Sequence, residues 1–230
     1  MKTKRILMAL TVAACALVAA GSMRAEDFEN QRPGAPKWKV IDYNRVQAHP
    51  ARVADKIPGG ISFKFLNTPD TALLATSHPS YNGSLLGDLS AKNSVSATVG
   101  VDVSPDTVFS YYGEGTPSNP CPGFANVRFY FQTDTSGKFE YTDYWWSNPV
   151  SVNLEALKAG DVTLTAPLTP DQWSDWNGQP GTAFPNEFNA AKADVQLIGL
   201  SFGGGCFFEN GVGVSQGGGN FRLMDFTVSP

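Results

Sequence analysis

Three short stretches bring aromatic rings together with planar polar side chains: Tyr144-Trp145-Trp146 with Asn148, Trp173-Ser174-Asp175-Trp176-Asn177, and Tyr111-Tyr112 with Glu114. The C–H face of a sugar packs on a Trp or Tyr ring, and its hydroxyls need partners such as Asn, Gln, Asp and Arg. Mixed clusters of this kind therefore suit carbohydrate binding. A further set alternates with apolar residues, Arg128, Tyr130 and Gln132 between Val127, Phe129 and Phe131. Adjacent strand residues point to opposite faces, so these three form one polar-aromatic row able to line a concave sheet. By the same rule only one of Trp145 and Trp146 enters the core, and the other faces outward or into a groove. The expected ligand-binding residues are Arg128, Tyr130, Gln132, Trp145, Trp146 and Trp176. Against this stands the frequent use of aromatic residues as packing in sandwich cores.

Other chemistries find weaker footing. Gly213-Val214-Ser215-Gln216-Gly217 matches the G-x-S-x-G pattern, which exposes a nucleophilic serine on a turn between strand and helix. Here a Gly run and another apolar alternation follow, and both histidines, His49 and His78, lie upstream of the serine. A catalytic Ser215 is not expected. Glycoside hydrolysis needs two carboxyl groups about 5–10 Å apart. Glu140, Asp143, Glu187 and Glu209 are the available members, but their sequence positions pair none of them. The Gly-rich stretches lack the Lys-Ser/Thr ending and following helix of a phosphate loop.

The chain that must position these groups has 230 residues, 42% hydrophobic, 12% aromatic and 17% charged. That is an ordered globular composition. Lys2, Lys4 and Arg5 precede an apolar run over residues 6–20, shorter than a membrane-spanning helix and patterned as a cleavable export leader. Ala20 and Ala25 are the two candidate cleavage positions, Ala25 preferred; Cys15 offers a lipidation alternative. The expected organisation is a leader over 1–25, a polar arm over 26–36 and one domain over 37–230, secreted or periplasmic. The net charge of −4 becomes more negative once the basic leader is lost. With no basic stripe to neutralise phosphates, nucleic acid is not an expected partner. Cys121 and Cys206 remain as an even pair, read as a disulfide that closes a loop of about 85 residues worth roughly 4–5 kcal/mol in the chain-entropy picture. Two separate buried thiols are the alternative.

Apolar residues alternate at Val95, Ala97, Val99, Val101 and Val103, at Ile61, Phe63 and Phe65, and at Val150, Val152 and Leu154. Shorter alternations follow at Val162 and Leu164, over 195–202, and at Val212 and Val214. In the last segment Phe221 and Leu223 share one parity while Phe226 and Val228 share the other, which a bulge near Met224-Asp225 reconciles. Only 154–159 and 186–193 have room for helix. With 23 Gly and 16 Pro punctuating the strands, the economical solution is an all-β, two-sheet antiparallel jelly-roll sandwich.

The run over 195–203, then Gly211-Val212-Gly213-Val214, then residues 221–228 resembles the closing strands of galactose-binding-like jelly rolls, a group with many carbohydrate-binding modules of secreted bacterial proteins. Residues 126–131 and Trp145-Trp146-Ser147 resemble its middle strands. The resemblance implies a non-catalytic module that binds sugar on a concave sheet or apical loops and requires no cofactor. It also implies a structural calcium ion in many members, Asp225 being the position that such domains often make acidic. The expected function is thus an exported glycan- or polysaccharide-binding domain. The alternatives are a structural or interaction protein of the envelope or extracellular matrix and, third, a glycoside hydrolase.

Overall fold

A computed structural model describes residues 24–28, 38–43, 50–77, 85–113, 123–133, 138–204 and 211–230. In chain order the strands are β1 (Arg24–Ala25), β2 (Lys39–Asp42), β3 (Arg52–Val53), β4 (Asp55–Ile57), β5 (Gly60–Lys64), β6 (Thr71–Thr76), β7 (Ser94–Val103) and β8 (Val108–Tyr111). They continue as β9 (Asn126–Gln132), β10 (Tyr144–Asn153), β11 (Val162–Pro167), β12 (Trp173–Asp175), β13 (Leu197–Gly203), β14 (Val212–Gln216) and β15 (Gly219–Ser229). Among the described residues there is one α-helix, α1 (Pro185–Ala193), which starts on a proline that suits the first helical turn. Two antiparallel sheets result. The smaller runs β11-β7-β15-β5-β4 with β1 beside β15, and the larger runs β12-β10-β9-β13-β6-β14-β8 with β2 and β3 attached through β6.

The alternation read from the sequence is the device that closes the sandwich. Val95, Ala97 and Val99 of β7 are buried while Ser96 and Thr98 on the other face are only partly covered. Each apolar face buries against the opposite sheet because apolar area leaves water there. The inter-sheet seam is aromatic: Phe202 of β13 meets Phe221 of β15 at 4.9 Å and Phe63 of β5 at 5.4 Å, ring centre to ring centre. Trp38 and Phe129 both reach Phe226 of β15. The pairing of β15 with β7 slips between Leu223 and Asp225, which lets Phe221, Leu223, Phe226 and Val228 all face inward.

Of the 26–36 segment expected to be an arm, residues 26–28 are described. Phe28 is buried against Trp38, and β1 just upstream pairs with Thr227 and Val228. Cys121, Cys206, His49, His78, Glu114, Glu209 and residues 1–23 of the expected leader, Cys15 among them, lie outside the described residues.

A second irregularity interrupts the larger sheet. The β10/β9 register slips between Trp146 and Ser151, around Asn148-Pro149. The slip removes a ladder partner from Phe129, and the buried hydroxyl of Ser147 takes its place, accepting from the Phe129 N–H at 2.9 Å and donating to the Val150 carbonyl at 2.7 Å. Ser147→Ala leaves both backbone groups unsatisfied, so a loss of about 1–3 kcal/mol is expected in denaturant unfolding.

Candidate functional site

The aromatic residues that precede and follow β10 collect at one end of the larger sheet, on its outward face. The pairings that place them are Tyr144 opposite Gln132, Trp146 opposite Tyr130, and Trp146 opposite Ser174 of β12. A 3-10 turn over Tyr141–Asp143 leads into β10, and the backbone N–H of Trp176 donates to the Tyr141 carbonyl at 3.2 Å. That bond draws the β12 end and the turn into one patch.

Trp176 itself rides on a turn built by Asp175. The buried Asp175 carboxylate accepts the backbone N–H groups of Asn177 and Gln179 at 2.9 and 2.8 Å. Gly178 supplies the positive φ of 76° that the turn requires.

The rings form a continuous chain from inside to outside. Tyr130 stands 4.9 Å from Trp146, Trp146 5.6 Å from Trp176, and Trp176 5.5 Å from Tyr144 and 5.3 Å from Phe139. Phe139 stacks on Tyr144 and meets Tyr141 edge-on. The inner members are covered, with Tyr130 and Trp146 each 3% exposed. The outer members are open: Trp176 is 38%, Tyr141 51% and Phe139 52% exposed. Such clustering of large exposed rings departs from the single scattered apolar residues of an ordinary surface.

The two tryptophans of β10 divide as the strand rule requires. Trp145 faces the core, fully buried, edge-on to Phe188 of α1 at 5.1 Å, with its indole N–H on the Thr142 carbonyl. It is therefore a packing residue, and its place among the expected ligand groups is corrected. Trp146 faces outward, but its indole N–H donates to the buried Ser201 hydroxyl at 3.0 Å and Tyr130 and Trp176 lie against it.

The expected open row on β9 is corrected as well. Arg128 and Tyr130 do point away from the core but are buried, and only Gln132 at the strand end is partly exposed. Strand β9 is central, flanked by β10 and β13. An indole from one neighbour therefore lies on Tyr130, while Gly199 lies opposite it on the other. Tyr130 donates its hydroxyl to Gln132 at 2.8 Å. Burial, then the nearby Tyr144, push the Tyr130 phenol well above the usual tyrosine range. With the folded value above the unfolded one, its contribution to stability is whole below about pH 10 and falls as pH rises from there. A spectrophotometric titration near 295 nm is expected to gain its Tyr130 increment only beyond the ordinary tyrosine step, and Tyr130→Phe should remove that late increment.

Burial also pulls the Arg128 guanidinium down, from its ordinary value to about 10, leaving it charged at neutral pH. Its bond within the protein runs to the Gly204 carbonyl at 2.8 Å. Phe139 and Tyr141 escaped the sequence reading because they lie in and before a 3-10 turn, where no alternation singles them out. Their spacing around Glu140, two rings one residue apart immediately before a Tyr-Trp-Trp strand, was the available signal.

The described residues considered for catalysis fall in three places, with Glu140 and Asp143 together at one turn. Ser215 sits exposed near the end of β14, leading through a turn to β15 and not to a helix, and its hydroxyl is 3.5 Å from the Val108 carbonyl. Glu140 and Asp143 border the aromatic patch, whereas Glu187 is exposed on α1. The Asp225 carboxylate accepts the Thr227 hydroxyl, and among the described residues no three His, Cys, Asp or Glu side chains gather as metal ligands. No helix of the described residues is long and apolar enough to cross a membrane. The chain matches no protein-family model, no curated protein and no solved structure.

Proposed function

We propose that this chain is an exported, non-catalytic β-sandwich domain that binds glycan at the outward end of its larger sheet. The observation that carries this reading is the contiguous patch of Phe139, Tyr141, Tyr144 and Trp176. Rings of this size offer flat apolar area to the C–H faces of sugar units. Polar groups for the hydroxyls stand at its border: Gln132 at the end of β9, Asn177 beside Trp176, and Asn148, whose amide also touches Ser174 at 3.3 Å. The rings are held by Asp175, by the Trp176–Tyr141 backbone bond and by Trp146, so little side-chain freedom is lost on binding.

Affinity electrophoresis of the intact protein through gels containing a panel of neutral and acidic polysaccharides tests the reading. Retardation by at least one of them, lost in Trp176→Ala, is the expected result. Unchanged mobility in every gel would contradict it and favour a protein-docking role for the same rings.

A further inference from the structure

The sugar site proposed above leaves a cation unexplained. Arg128 is 7% exposed, yet its hydrogen bond runs to a neutral carbonyl, that of Gly204, and no carboxylate pairs with it among the described residues. A buried guanidinium whose hydrogen bond among the described residues goes to a neutral carbonyl is costly unless an anion completes it. The fold retains other arginines differently: Arg222 meets Asp102 and Asp161, and Arg52 meets Asp42.

The position of Arg128 gives this cation a direction. On the outward face it lies between Ser201 of β13 and Ser151 of β10, its cross-strand neighbours on either side. The Ser201 hydroxyl is tied to the Trp146 indole, so the guanidinium belongs to the same face as the ring chain. Ser151, across from it, is exposed, as are Asn148 and Pro149 in the register slip, so the surface beside Arg128 opens toward solvent on the β10 side.

Resting on the glycan-binding reading, we infer that Arg128 recognises an anionic substituent on the bound sugar, a carboxylate or a sulfate ester, while the outer rings hold the sugar faces. A planar guanidinium suits either group, because both present paired oxygens to its parallel N–H bonds. Desolvation strengthens that charge-assisted pair, and the incoming anion offsets the cost of a buried charge that no carboxylate of the described residues meets.

The test measures binding of the intact protein to polygalacturonate, to a sulfated galactan and to a neutral glucan at fixed salt, with the Arg128→Met variant alongside. The expected result is at least about ten-fold tighter binding to one acidic polymer than to the glucan, with Arg128→Met reducing that preference to about two-fold or less. The acidic polymer preferred tells carboxylate from sulfate. Equal binding to acidic and neutral polymers would overturn this inference and leave the glycan-binding reading standing. No binding to any polymer would overturn both. An unchanged acidic preference in Arg128→Met would overturn the assignment to Arg128. Should that variant fail to fold by near-ultraviolet circular dichroism, Arg128→Lys replaces it, keeping the charge and losing the planar fork. Weaker acidic binding with unaltered glucan binding is then expected, and an unaltered acidic preference would refute the assignment.

Discussion

Trp176→Ala is expected to weaken glycan binding by at least about ten-fold, equivalent to about 1.4 kcal/mol, while changing unfolding free energy by less than about 1 kcal/mol. The asymmetry follows from its placement. Trp176 is 38% exposed at the end of an edge strand and touches Trp146, Tyr144 and Phe139 from the solvent side. Removing it takes away the ring that joins the buried and exposed members of the patch, yet opens no internal cavity. Titration calorimetry against the retained polysaccharide and denaturant unfolding of the same preparation separate the two effects. A large stability loss with unaltered affinity would make Trp176 a packing residue.

Trp145→Ala is expected to do the reverse, costing about 3–5 kcal/mol of stability. Its side chain is fully buried, packs edge-on against Phe188 and donates to the Thr142 carbonyl. Phe131, Trp173 and Phe188 form the adjoining ring cluster, so the vacated volume borders rigid aromatic groups that collapse poorly around it. Where the variant remains folded, its patch rings are still present and its glycan affinity should stay within a few-fold of the parent. The midpoint of urea unfolding reads the first expectation directly.

These two neighbours in sequence, one structural and one on the proposed site, show what alternation can and cannot resolve. Strand parity assigned Trp145 and Trp146 to opposite faces, and parity also located the slip at Leu223 to Asp225, because Phe221 and Phe226 could not otherwise share an interior. Parity identifies a face but not what covers it. Arg128 and Tyr130 are outward and nevertheless buried, since coverage depends on the cross-strand neighbours Trp146 and Ser201 contributed by residues distant in sequence. Strand β6 shows the same limit from another side. Its Thr-Ala-Leu-Leu-Ala-Thr sequence has no alternation because residues on both faces are buried in the middle of the larger sheet. In the exposed half of the patch Trp176 stands out by its Trp-Asn cluster, whereas Phe139 and Tyr141 were least legible, because they lie in and before a turn and not in a strand period.

The central claim, that a glycan lies on the outer rings, is tested most directly by tryptophan fluorescence. Of the five tryptophans, Trp38, Trp145, Trp146 and Trp173 are buried and Trp176 is exposed, so a collisional quencher such as acrylamide reports chiefly on Trp176. Polysaccharides from the panel, added to the intact protein, are expected to include at least one that shields this accessible fraction from quenching in a saturable manner. Quenching unaltered by every polysaccharide would contradict the account.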